Sequence, residues 1–161
     1  MALLYRVNLG TYTRFHTTIA LKINIPKTAT INNTIFTLSF SKSTPAPDYD
    51  IIVTGLSPET PISALDTCQF DTDQVEFLSS QAVLNKFQSL VIEAGAPIST
   101  TKFTSLVREF INHNAYVPGS YLHLVFSNEG VPIISTSTSA FLFHTFHEDV
   151  NKRPKLWIEW S

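Results

Sequence analysis

A chain of 161 residues makes one ordinary domain, able to bury about two thirds of its unfolded surface around a single core. Only 15% of the residues are charged, the formal net charge is −2 and no Lys/Arg cluster occurs, which excludes the electrostatic footprint of a nucleic-acid binder or of a protein held on an anionic membrane. Aromatics reach 12%, with Phe the most numerous, and Ser, Thr and Asn are abundant, a mixture suited to β-strands with hydroxyl-rich outer faces.

The opening MALLYRVNLG lacks a continuous apolar core and a cleavage site, and no window offers the roughly eighteen uninterrupted apolar residues of a membrane helix. The expectation is a soluble chain made without a signal peptide. From Arg14 the sequence alternates strictly: Phe15, Thr17, Ile19, Leu21, Ile23 and Ile25 fall on one face, against His16, Thr18, Ala20, Lys22 and Asn24 on the other, the mark of a half-buried strand. Pro26 removes a ladder donor and KTATINN forms a corner. A second strand, Thr34 to Phe40, then sets Phe36, Leu38 and Phe40 against Ile35, Thr37 and Ser39, so the two strands pair or face each other across a core.

STPAPDYD is a loop by its prolines, and DIIVTGL is a short strand ending in a turn. Ser57 to Ala82 has a weak pattern, mostly loop, with PISAL as a helical turn and QVEFL as a short strand. Phe87 to Ala94 is predicted as another strand, broken by Gly95 and Pro97. The period then changes. Phe103, Leu106, Val107, Phe110 and Ile111 share one face of a helix with Lys102, Arg108, Glu109 and Asn112 opposite, and Thr100 or Thr101 is placed to cap it. VPGS ends the helix, and YLHLVFS, TSAFLFHTF and KLWIEW supply three more strands, the last with Leu156, Ile158 and Trp160 inward and Trp157 and Glu159 outward. About seven to nine short strands and one amphipathic α-helix in a connection make an all-β, antiparallel two-sheet sandwich of the jelly-roll kind, a single domain over 1–161.

No catalytic signature stands out. Cys68 is the single cysteine, so neither an internal disulfide nor a cysteine zinc site is available, and a lone Cys is most often a small buried hydrophobe. His16, His123 and His144 sit in predicted strands, and His144 and His147 lack an i, i+4 spacing; with no supporting Cys or carboxylate pattern they read as outer-face polar residues, and no metal is assigned. Glu93 and Glu159 are the strand-borne carboxylates, without a neighbourhood that would raise a carboxyl pKa, and neither GxSxG nor a Gly-rich phosphate loop is present. The aromatics give the functional hint: Trp157 points away from the core face, and Tyr49, Tyr116 and Tyr121 lie in or beside loops, where indole and phenol rings anchor partners or stack on sugars.

Three segments, IALKINIPKTATINNTIFTLSF, TTKFTSLVREFINHNAYVPGSYLHLVF and RPKLWIEW, resemble in order and spacing the DNRLRE-like and carbohydrate-binding-module-like β-sandwich domains of phage structural proteins and bacterial surface proteins. Ala115 and Tyr116 stand where such domains often carry a tryptophan, and the DNRLRE motif itself is not found here. The resemblance implies the sandwich fold, and a structural calcium held by loop carboxylates, for which Asp71 and Asp73 are the candidates; other loop acids are Asp48, Asp50, Asp66, Glu148 and Asp149. An ordinary set of turn aspartates is the commoner explanation of such residues, so no cofactor is assigned. A module usually found in exported proteins, here standing alone from Met1 with no export signal, leads to the expectation of a non-catalytic virion subunit of a bacteriophage, a capsid decoration or a tail or baseplate accessory protein. Its partners would be other virion proteins and further copies of itself. The alternative is a glycan-binding adhesion module that meets host surface glycans through Trp157 and the loop tyrosines.

Overall fold

The corner at Pro26 carries the chain from one sheet to another, and the rest of the architecture is organised around that crossing. In this computed structural model, residues 2–9, 12–39, 44–45, 51–60, 75–84, 91–92, 97–127 and 151–161 are described. The elements in chain order are β1 (Ala2–Leu9), β2 (Tyr12–Lys22), β3 (Ile31–Ser39), β4 (Thr44–Pro45), β5 (Ile51–Leu56), β6 (Phe77–Leu84), β7 (Val91–Ile92), β8 (Pro97–Thr100), α1 (Thr104–Asn112), β9 (Tyr121–Ser127) and β10 (Lys155–Trp160). A five-stranded sheet runs β1-β2-β9-β5-β6, a three-stranded sheet runs β10-β3-β8, and β4 pairs with β7 alone. Every pairing among the described residues is antiparallel. The fold is the expected all-β sandwich with one helix among the described residues.

The strands on either side of the corner therefore face each other across the core without pairing. Ile19 and Leu21 of β2, with Ile23 and Ile25 beyond it, meet Ile31, Phe36 and Leu38 of β3 in one buried cluster. The alternation continues to Ile25 although the ladder stops at Lys22, because other groups take over the backbone. The Ile23 N–H donates to Ser120 O (2.9 Å) and the Gly119 N–H to Ile23 O (2.8 Å). Gly119 adopts φ +97°, and the Ser120 N–H donates to Val117 O at 3.0 Å, as a Pro-Gly turn requires.

The predicted corner KTATINN is shorter than expected, since β3 begins at Ile31, with Phe36 and Leu38 inward as predicted. In β3, Trp160 pairs with Ile31 and Glu159 with Asn33, so Asn32 is an extra residue, and this bulge puts both Ile31 and Thr34 on the buried face. The 75–84 stretch contains a strand of eight residues where mostly loop was expected. Between the pairs Thr54↔Gln81 and Leu56↔Phe77, β6 spends four residues against two of β5, a shift that hides its alternation. The N-terminal strand β1 was likewise not anticipated; its register on β2 runs from Ala2↔Ile19 to Leu9↔Tyr12. Within the predicted strands Phe87–Ala94 and TSAFLFHTF, only Val91–Ile92 lies among the described residues.

Helix α1 closes the core. Leu106, Val107, Phe110 and Ile111 are buried along one face, as the spacing predicts. The expected threonine cap is not used. Phe103 occupies the cap position with no side-chain cap, and the Thr100 hydroxyl accepts the Lys102 N–H instead, at 3.2 Å. Burying the Phe103 ring, stacked 4.6 Å from Phe36, outweighs a cap worth about 1 kcal/mol. Gly55 lets the helix approach β5: a Cβ there would lie 2.8 Å from Leu78 Cδ1 and 3.0 Å from Leu106 Cδ2.

Two adjacent charged residues of α1 then fasten both sheets at their irregular points. The Arg108 guanidinium donates through Nε (2.8 Å) and Nη2 (2.6 Å) to Ile31 O at the β3 bulge. The Glu109 carboxylate accepts the Ser79 and Ser80 N–H groups, both at 2.7 Å, and the Ser79 hydroxyl at 2.9 Å, in the shifted stretch of β6. Backbone groups freed by irregular pairing thus find charged partners on the helix.

Candidate interaction surface at the β10 edge

Among the described residues, β10 is the outer strand of the three-stranded sheet, paired with β3 along one side. Its alternation puts Lys155, Trp157 and Glu159 on the outer face and Leu156, Ile158 and Trp160 toward the sandwich interior. Trp157 is 52% exposed and sits directly across from Ile35, itself exposed, so an indole and an aliphatic side chain form a cross-strand apolar pair in water. Leu156 and Ile158 are only partly buried against the core. Trp160 keeps the inward parity without the burial: at the end of the strand, beside the Asn32 bulge, it is 47% exposed. There it borders a groove of about 250 Å³ between β10 and the chain leaving β2, lined also by Leu21, Ile23, Ile25, Leu156 and Ile158.

Among the described residues, the backbone of β10 has one side without a strand partner. Ser161 and Thr30 exchange both hydrogen bonds (2.8 and 3.1 Å), which fixes the phase of the strand: Lys155, Trp157 and Glu159 turn their amides toward β3. Leu156, Ile158 and Trp160 turn theirs outward, where no strand is paired among the described residues. A sheet edge of this kind is a template for another strand unless it is covered or blocked.

The three aromatic candidates among the described residues do not form one platform. Tyr116 is 1% exposed, which corrects its expected contact role. Its hydroxyl donates to Ile25 O (2.7 Å) and accepts the Ile25 N–H (3.3 Å), and its ring packs edge-on against Phe110 at 5.4 Å. A tyrosine beside a loop is here the lock on the strand-like segment after β2. Tyr121 is 52% exposed, but it starts β9 in the five-stranded sheet, paired with Lys22, whereas Trp157 lies on the other sheet. Tyr49 lies outside the described residues, as do Cys68, Glu93, Asp71 and Asp73, the other loop acids, His144 and His147.

No group of three or more His, Cys, Asp or Glu that could hold a metal occurs among the described residues. His16 and His123 are not brought together: His123 pairs with Ala20, four residues along β2 from His16, about 13 Å away. Burial pushes the His123 pKa down, favouring the neutral ring. Glu159 is exposed on the outer face. No helix is long and apolar enough to cross a membrane among the described residues. Comparison with known proteins returns no family model, no curated protein and no solved structure that matches this chain.

Proposed function

We propose that the chain is a non-catalytic assembly subunit, a bacteriophage virion component of the decoration or tail-accessory kind. The observation that carries the assembly role is the juxtaposition at β10 of a strand edge unpaired among the described residues with exposed Trp157, Ile35 and Trp160. Tryptophan is enriched at the centres of protein interfaces, and a solvent-facing edge with apolar flanks is a liability unless a partner covers it. The virion context rests on the resemblance of the three quoted segments. Mass spectrometry of particles purified from the producing culture is expected to find the chain in fixed stoichiometry with the shell or tail proteins. Recovery only in the particle-free fraction would overturn the virion reading.

A second reading, a glycan-binding module, is favoured by the half-exposed indole of Trp157, which can stack on a sugar ring. Saccharide titration separates the two. Binding that is lost in Trp157→Ala and leaves the molecular mass unchanged supports the module, and no response to host polysaccharides rejects it.

A further inference from the structure

We propose that β10 pairs antiparallel with β10 of a second copy of this chain about a two-fold axis, joining two three-stranded sheets into one continuous sheet. The inference deepens the assembly reading, on which it rests, by naming the surface and its occupant. The charge pattern of the strand selects both. Leu156, Ile158 and Trp160 carry outward-facing N–H and C=O groups, so symmetric ladders centred on Leu156, Trp157 or Ile158 are open to the backbone, and the side chains choose among them. Centring on Trp157 pairs Leu156 with Ile158 of the second copy in both directions, exchanging backbone hydrogen bonds.

The same register sets Trp157 against its own counterpart and Lys155 against Glu159 of the second copy, twice by symmetry. These outer-face positions fall at the non-hydrogen-bonded sites, where side chains approach most closely. The two neighbouring symmetric registers do worse. One sets Lys155 against Trp157 and the other sets Glu159 against Trp157 and Lys155 opposite the exposed Ser161, so neither brings Lys155 and Glu159 together. A strand reading Lys-Leu-Trp-Ile-Glu is complementary to its own reverse, in charge at the ends and in apolar character at the middle. Pairing would also set the partly buried Leu156 and Ile158 of each copy beside those of the other and extend the apolar wall of the groove.

The test is a charge exchange at two exposed positions, neither of which supports the core. Light scattering and sedimentation over a concentration series are expected to give a monomer–dimer equilibrium for the native chain. Lys155→Glu or Glu159→Lys alone should raise the dimer dissociation constant roughly tenfold or more, since each turns two attractions into repulsions. An equimolar mixture of the two variants should recover native association, because every facing pair again has opposite charge. Hydrogen exchange adds a residue-level readout: the Leu156 and Ile158 amides should gain protection with concentration, while those of Trp157 and Glu159, already bonded to β3, should not. Association unchanged by either reversal, or no recovery on mixing, overturns the β10 pairing while leaving an assembly role through another surface. A native chain that stays monomeric at the highest concentration also overturns the pairing, and the particle composition then decides the assembly role separately.

Discussion

Single side chains from outside the sheets satisfy backbone groups that the strands leave over, and this is where stability is most sensitive to substitution. Tyr116→Phe keeps the ring packed on Phe110 but removes the hydroxyl from both polar groups of Ile25. Because that site is buried, the orphaned groups are expected to cost about 1–3 kcal/mol, read as a lower denaturation midpoint at unchanged m-value. Glu109 is the second such residue. Desolvation raises its pKa, yet hydrogen bonds from the Ser80 and Ser79 side chains and amides prevail and hold it at about 2, against an ordinary 4.5. A carboxyl depressed on folding contributes stability that is complete above about pH 4.5 and is lost as the pH falls through about 2. Glu109→Gln is therefore expected to lower stability near neutrality by about 1–2 kcal/mol, discounted for its partial exposure, and to flatten the decline between those two pH values. Urea unfolding across that range checks both effects.

The element that decides the geometry is α1, which presses Leu106 into the space over Gly55 and anchors β3 and β6 through consecutive charges. Adding a Cβ at Gly55 forces Leu78 and Leu106 from a packed position, so Gly55→Ala should cost about 1–3 kcal/mol by thermal or chemical unfolding. Arg108→Lys keeps the charge but loses the forked approach to Ile31 O, and should destabilise more than an ordinary surface exchange. The helix face, the Leu21–Ile25 alternation and β10 were legible in the sequence because their periods are unbroken. β6 was not, since its register shift and its serines erase the period, and the partner that makes the irregularity tolerable, Glu109, lies about thirty residues away. The cap at Thr100 or Thr101 was misplaced for a related reason: a local rule met the non-local demand to bury Phe103 against Phe36.

For the molecule as a whole, the distribution of tryptophan offers a direct test of which surface is used. Outward-facing Trp157 was readable from the parity of KLWIEW, but the exposure of Trp160 depends on a bulge in a strand more than a hundred residues away in sequence, and the burial of Tyr116 on contacts with Ile23 and Ile25. Periodicity identifies which face a residue takes; it does not say whether that face is covered. The chain contains only two tryptophans, and both flank the β10 edge, so intrinsic indole emission reports that edge and nothing else. In the dilute monomer both rings meet water, and emission should be red-shifted and readily quenched by acrylamide. Strand pairing about Trp157 should shift the emission to the blue and reduce quenching as concentration rises, in step with the mass measured by light scattering. Sugar stacking should change emission with saccharide at constant mass. An emission maximum that ignores both concentration and saccharide would remove the β10 edge from either role and direct attention to Tyr121 and Phe77, two exposed aromatics of the five-stranded sheet.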